Sequence, residues 1–404
     1  MTASVAIIGG GQGGATLAQA LRQRGFAGHV TLVCAEDTLP YERPPLSKGI
    51  LAGDDPTLVV PAEFYPDNDI DVMRGHRATE IRHHASGLEV VLDAAPSVFA
   101  DRVVLATGSQ PRELRIPGAD LWNVLSLSTI GQSRHLHSQL PDLEQVVIAG
   151  AGFVGTEVAA ALRSKGCDVV LVEPSPQPLV KSLGTWAAGV VRELHEAAGV
   201  RFVEDVIAAA EGRGRVERVV TGRGEVLRCD LLLVAVGSQA NLDVATRSGL
   251  TCTDGVVCDE LGRTSMPGVS AIGDVAVWPY GALGRLRVEH FRTAIDHAEI
   301  VAGDIVGAPT AKSLVPWFWT DQYQTRIEVA GRPDQGTVHI GRRGPDGRLH
   351  LTLHLRDDRV VGAIGIDCPR EVRAASQLIR TQGVVDPGAL CDPSIDLRKA
   401  AIPA

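Results

Sequence analysis

The sequence predicts an α/β protein built from two doubly wound, parallel-sheet units, one interrupting the other, and a small α+β domain at the C-terminal end. Three observations lead there. A strand–glycine turn–helix–strand unit occurs twice, further apolar strands end on glycine at intervals after each copy, and beyond Pro316 the pattern changes to strict apolar–polar alternation.

The first unit opens with Val5-Ala6-Ile7-Ile8, an apolar run without polar alternation, as expected of a strand buried on both faces. Gly9, Gly11 and Gly14 follow in G-x-G-x-x-G spacing, then a helix through Leu17, Ala20 and Leu21, closed by Gly25. A second strand, Val30–Val33, leads to Glu36, twenty-two residues beyond Gly14. The first glycine makes a tight turn, the second lets backbone approach a pyrophosphate, and the third lets helix and strand pack closely. A pyrophosphate then sits at the helix N-terminus and the acid accepts ribose hydroxyls, the pattern of a Rossmann-like dinucleotide-binding domain.

In a chain with 44 glycines that spacing is weak by itself, but the whole unit recurs. Val146–Ala149 precede Gly150, Gly152 and Gly155; a helix runs through Val158, Ala159 and Leu162; Val169–Val172 end on Glu173, eighteen residues after Gly155. Three further apolar runs end in glycine, where backbone can pass close to a ligand: Val103–Leu105 with Thr107-Gly108, Leu231–Val236 with Gly237, and Val269–Ile272 with Gly273-Asp274. This order predicts an FAD-binding domain in two segments, 1–112 and 238–313, interrupted by an NAD-binding domain over 113–237. In the remaining 314–404, Leu349, Leu351, Leu353 and Leu355 alternate with polar residues as in a half-buried antiparallel strand; Asp357-Asp358 turns into a second strand, and a helix covers roughly Glu371–Arg380.

Composition narrows the classes. The chain has 404 residues, 45% hydrophobic and 22% charged, enough for two or three packed domains. No apolar run reaches the ~20 residues of a membrane span, and no signal-peptide pattern precedes the first strand, so a cytoplasmic protein is expected. Seven scattered cysteines form neither a disulfide framework nor a metal-ligand motif, and no metal is expected. A net charge of −9 argues against nucleic acid as a partner.

Four stretches carry a family resemblance: Tyr41–Lys48 (YERPPLSK), Gly152–Glu157 (GFVGTE), Gly273-Asp274, and Pro316–Tyr323 (PWFWTDQY), with the tail Asp392–Lys399 in support. Through them the whole chain resembles the FAD- and NADH-dependent ferredoxin reductases of bacterial oxygenase systems, of the putidaredoxin reductase and biphenyl dioxygenase reductase type. It departs from the family in having Ala240 where proline is usual and in lacking paired acids after Ser128. The resemblance implies that Arg43 lies near the FAD pyrophosphate and that Asp274 bonds the ribitol chain. Lys48 and Glu157, from different domains, would pair beside the flavin N5, where a cation steadies developing negative charge. The helix beginning near Glu289-His290-Phe291 would aim its positive end at the flavin. Trp319 would lie by the isoalloxazine where electrons leave. Plainer readings stand beside these: a solvated Lys48, a Glu157 that only complements its helix N-terminus, Trp317 and Trp319 as core residues, a loop-capping Arg43.

The implied reaction is NADH:ferredoxin oxidoreduction. NADH gives two electrons as hydride, a 2Fe–2S ferredoxin takes one, and a flavin splits them. A rubredoxin as acceptor, or a redox-sensing flavoprotein that switches partners, are the alternatives. A disulfide reductase needs a reactive cysteine after the first acid, and 43–48 contain none. Docking of ferredoxin to a monomer or weak homodimer would use Arg285, Arg287 and Arg292, with Arg342 and Arg343 as second choice.

Overall fold

The computed structural model describes residues 3–402. Its chain divides into two compact units. One holds the chain up to Arg43, Pro56–Gln110 and Gln239–Pro316; the other holds Pro44–Asp55, Pro111–Ser238 and the chain from Trp317 onward.

In the first unit a five-stranded sheet runs in the order Val269–Ala271, Arg102–Leu105, Ser4–Ile8, His29–Cys34, Ile70–Arg74, every pair parallel. Ile7 lies between Leu32 and Val104 in register, and all three are at most 1% exposed. This is why the strand sequences carry no polar alternation. Helix Gln12–Gln23 packs against helix Phe291–Ile305, so the two ends of this discontinuous unit share one core. A three-stranded antiparallel sheet, Ala78–His84, Gly87–Leu92 and Val98–Ala100, completes it alongside the strands Val256–Val257, Ala276–Pro279 and Arg285–Arg287.

The second unit repeats the plan. Its parallel sheet runs Arg201–Val203, Asp168–Val172, Gln145–Ala149, Leu231–Val234, Val124–Ser126, with Ile148 between Leu171 and Leu233. Both sheets are Rossmann-like. The C-terminal part is a five-stranded antiparallel sheet in the order Trp317–Gln322, Thr325–Gly331, Arg359–Ile366, Leu349–Arg356, Val338–Arg343, covered by helix Pro369–Thr381.

Two features of this division differ from the sequence expectation. Residues 44–55, expected with the FAD segment, belong to the second unit: Leu46, Ile50 and Leu51 are at most 5% exposed, the Ser133 hydroxyl donates to Leu46 O at 2.7 Å, and His137 Nδ1 donates to Leu51 O at 2.9 Å. The C-terminal sheet also shares a core with the NAD segment, where Leu179, Leu183, Ala187 and Val191 pack on Ile327, Val329 and Ile364. Within that sheet Leu351, Leu353 and Leu355 are buried as the alternation predicts, but His354 is buried too, next to a register shift between His354 and Leu355. Among the described residues no helix is long and apolar enough to cross a membrane.

Candidate functional site

The two glycine turns share one geometry. A Cβ on Gly9 would stand 2.1 Å from Ala106 O, and one on Gly14 would stand 2.0 Å from Gly9 O; on Gly150 and Gly155 the corresponding distances are 2.4 Å to Ala235 O and 2.1 Å to Gly150 O. These four glycines are demanded by the protein's own packing. Gly11 and Gly152 are not: a Cβ on either meets nothing within 4 Å. Each is the N-cap of its helix, Gln12–Gln23 or Phe153–Ser164, and supplies no side-chain cap. Open space over a helix N-terminus with uncapped N–H groups suits an anion such as a dinucleotide pyrophosphate. The residues present therefore fit one such group at each turn.

Around the first turn, Glu36 accepts from the Tyr41 hydroxyl at 2.7 Å and from Arg43 at 3.1 Å. Arg43, expected beside a pyrophosphate, is thus drawn to the acid, and Tyr41 is a partner the sequence reading missed. Thr107-Gly108 is pinned by Asn241, which donates to Thr107 O at 2.8 Å and to Gly108 O at 3.0 Å, while the Thr107 hydroxyl donates to Asn241 O at 3.0 Å. Gly273 has a φ of +69°, and its N–H donates to His297 Nδ1 at 3.2 Å. His297 stacks on Trp278 with ring centroids 3.7 Å apart, and its burial pushes the imidazole down to about 3. Asp274 accepts from Ser109 at 3.0 Å. Burial first, then the Glu289 charge, pushes its carboxyl up to about 6, against Ser109, Arg43 and Arg287. His290 is the N-cap of helix Phe291–Ile305, and burial pushes it down to about 4 against Glu289.

At the second turn, Glu173 ends its strand and spends its oxygens on the turn, accepting from Ala151 N at 3.0 Å and Ser175 N at 3.1 Å. Gly237 has a φ of +102°, and its carbonyl accepts from Arg112 N at 2.9 Å.

The same unit brings Lys48 and Glu157 together, Nζ lying 3.3 Å from Glu157 Oε1. Lys48 also lies 3.1 Å from Asp321 Oδ2, a second carboxylate the sequence reading did not find. Glu157 takes two hydroxyls as well, Ser47 at 2.8 Å and Thr320 at 2.9 Å. Trp319 donates its indole N–H to Asp321 Oδ2 at 3.2 Å and carries the Arg326 guanidinium over its ring at 5.2 Å. Lys48 and Arg326 face three carboxylates, Glu157, Asp321 and, on Arg326 at 2.8 Å, Glu328, so the ammonium is held rather than exposed as an excess cation. The Ser47-Lys48 and Thr320-Asp321 pairs lay inside the motifs singled out from the sequence. Their mutual contact, across more than 270 positions, has no local signature.

Two of the expected docking cations are not available. Arg342 is 3% exposed, donating to Glu371 at 2.7 Å and to the carbonyls of Leu390, Asp392, Pro393 and Ile395. The Arg287 side chain is 12% exposed and pairs with Glu289 at 2.7 Å and Asp254 at 3.6 Å. Arg292 is exposed but paired with Asp296 one helical turn on, whereas Arg285 and Arg343 are exposed with no carboxylate paired to them among the described residues. All seven cysteines are free thiols; burial holds Cys34, Cys229 and Cys258 up at about 12, far from a nucleophilic thiolate. His350, Cys368 and Glu371 bring potential ligand atoms within 4.8 Å of one another, but the Arg342 guanidinium already occupies Glu371.

Residues 3–298 match the model of the pyridine nucleotide-disulphide oxidoreductase family, and residues 317–401 match that of the reductase C-terminal domain. The chain is similar to rhodocoxin reductase of Rhodococcus erythropolis, 34% identical over 98% of this chain and 94% of that one. It is similar also to the ferredoxin reductase component of a Cupriavidus chlorobenzene dioxygenase, 35% identical over 98% and 97%. Among solved structures it resembles the ferredoxin reductase for the CYP199A2 system from Rhodopseudomonas palustris, with a TM-score of 0.93 and 32% identity over 99% of this chain and 100% of that one. The reductase of the covalent putidaredoxin reductase–putidaredoxin complex gives a TM-score of 0.92 and 28% identity over 98% of both chains.

Proposed function

This chain belongs to the pyridine nucleotide-disulphide oxidoreductase family and is an FAD- and NAD(H)-dependent ferredoxin reductase; we propose that it prefers NADH and that its acceptor is a 2Fe–2S ferredoxin serving an oxygenase. We assign it to the cytoplasm, as a monomer or weak homodimer. The flavin, when bound, accepts hydride and releases electrons singly.

The protein's own groups divide the remaining work. Gly9, Gly11 and Gly14 with Glu36, Arg43, Thr107, Gly108, Gly273, Asp274 and His290 hold FAD; Gly150, Gly152, Gly155, Glu173 and Gly237 hold the nicotinamide dinucleotide. Lys48, fixed by Glu157 and Asp321, supplies the positive charge that steadies negative charge developing during the hydride step. Trp319, braced by Asp321 and Arg326, serves the exit of electrons. The observation that supports this reading best is the pair of open second glycines, Gly11 and Gly152, each over an uncapped helix N-terminus with an acid at the end of the next strand.

The test is reduction of a panel of 2Fe–2S ferredoxins and rubredoxins by the purified protein and NADH. Turnover with at least one 2Fe–2S ferredoxin, and faster than with any rubredoxin, is expected. A protein that NADH reduces but that passes electrons only to rubredoxin would overturn the choice of acceptor.

A further inference from the structure

Behind Glu157 runs a buried chain of polar side chains. Thr156, His195, Thr320 and Gln322 are each 0% exposed, and they come from helix Phe153–Ser164, helix Val180–Ala197 and strand Trp317–Gln322. Gln322 Nε2 lies 2.9 Å from both Thr320 Oγ1 and Thr156 Oγ1, and its Oε1 lies 2.9 Å from His195 Nε2. His195 Nδ1 lies 3.1 Å from the Tyr323 hydroxyl. Four fully buried polar residues linked this closely are stable only if every donor meets an acceptor.

The direction of this chain follows from one end. A carboxylate has no proton to give, so the 2.9 Å contact between Thr320 and Glu157 is made with the single proton of the Thr320 hydroxyl. Thr320 is then an acceptor toward Gln322, which must present its NH₂. That amide also donates to Thr156, whose own proton goes to Gly152 O at 2.9 Å. The amide oxygen is left facing His195, which donates from Nε2 and accepts the Tyr323 proton on Nδ1. Burial lowers the His195 pKa, which agrees with this neutral form. Tyr323 keeps a left-handed φ of 58°, a conformation costly for a tyrosine and held here while its hydroxyl is anchored on the imidazole.

We infer that Gln322 is a positioning residue for the Glu157–Lys48 pair: its amide, oriented by His195, turns the one proton of Thr320 toward Glu157. An amide keeps its protons, so the chain orients groups and does not conduct protons. The inference deepens the reading given above and rests on it for the role of Lys48.

The first test uses the resting FAD-loaded protein without NADH or acceptor. Nitrogen-15 NMR of labelled histidine should find His195 neutral and protonated at Nε2; a proton on Nδ1 would overturn the assigned direction. The second test uses Gln322→Glu, which cannot donate to Thr320 and draws its proton away, and Thr320→Val, which removes the proton. In each, flavin reduction by NADH should slow about tenfold, the value of one hydrogen bond to a charged group. KM for NADH should stay nearly unchanged, and the long-wavelength charge-transfer absorbance of the NADH-reduced protein should weaken. Thr320→Ser should restore both. If Gln322→Glu does not fold, Thr320→Val and Thr320→Ser decide. Wild-type rate and absorbance in a folded, FAD-loaded Thr320→Val would overturn the inference. Failure of the functional reading would show differently, as a wild-type protein that NADH does not reduce whatever the His195 tautomer.

Discussion

At Asp274 the protein works against its own charge. Burial and Glu289 push the carboxyl up to about 6, above its value in an unfolded chain, so the ionised form destabilises the fold. The sign follows: the contribution is favourable below the unfolded pKa of about 3.9 and is lost as pH rises through about 6. Asp274→Asn can still accept from Ser109, so the FAD-free variant should melt several degrees higher than FAD-free wild type at pH 7.5, worth about 2 kcal/mol, with little difference at pH 4. Scanning calorimetry at the two pH values checks it, and an equal effect at both would remove the electrostatic explanation. Lys48 is the converse, a cation between two carboxylates. Lys48→Met should slow flavin reduction by NADH about tenfold in stopped flow without releasing FAD; unchanged traces would make it an ordinary surface lysine. Glu173 is anchored by two backbone N–H groups, so Glu173→Ala loosens the turn, by roughly 1–3 kcal/mol, and removes the carboxylate proposed to accept the ribose hydroxyls. Wild type should favour NADH over NADPH in kcat/KM, and Glu173→Ala with Ser175→Arg should narrow that ratio about tenfold.

At the scale of elements, what could be read from the sequence was whatever a local pattern enforces. Strands buried on both faces carry unbroken apolar runs, so Val5–Ile8 and Val146–Ala149 were visible. Gly9 and Gly14 are imposed because a Cβ at either would meet a backbone carbonyl oxygen at about 2 Å, so their spacing was visible as well. The Asp357-Asp358 turn and the helix after Cys368 followed from alternation and its end. Residues 44–55 misled, because their apolar residues are few and the groups that anchor them, Ser133 and His137, lie more than eighty positions away. Asp321 as partner of Lys48 and the Gln322–His195 contact were invisible for the same reason. Arg342 looked like a surface charge, yet it ties the strand Val338–Arg343 to Glu371 and to four carbonyls of the tail. Arg342→Met leaves the four tail carbonyls without this donor and Glu371 with His350 alone, and should cost about 3–5 kcal/mol. Denaturant unfolding would show the loss, and limited proteolysis should cut the freed segment beyond Leu390. An undiminished midpoint would mean that the tail is held by other contacts.

For the molecule as a whole, a net charge of −9 gives an acidic ferredoxin no general attraction, so encounter must depend on local cations. The structure sorts the candidates by what already neutralises them. Arg287 is enclosed by Glu289 and Asp254, so its reversal should harm folding before docking. Arg292 is cancelled by Asp296 and should matter little. Arg285 remains exposed in the first unit, anchored to Cys258 O at 2.6 Å, and Arg343 remains exposed in the second, its guanidinium on Gly347 O at 2.9 Å. A rim charge acts mainly on association rate and salt response. Arg285→Glu should therefore raise KM for ferredoxin severalfold and flatten its dependence on ionic strength, leaving ferricyanide reduction by NADH unchanged. Ferricyanide is small and anionic but needs no protein docking face, which makes it the control for intact hydride transfer. If Arg343→Glu has that effect and Arg285→Glu does not, the partner docks on the C-terminal sheet instead. If both variants lower ferredoxin and ferricyanide turnover in parallel, neither arginine belongs to a docking face and their role is in the fold.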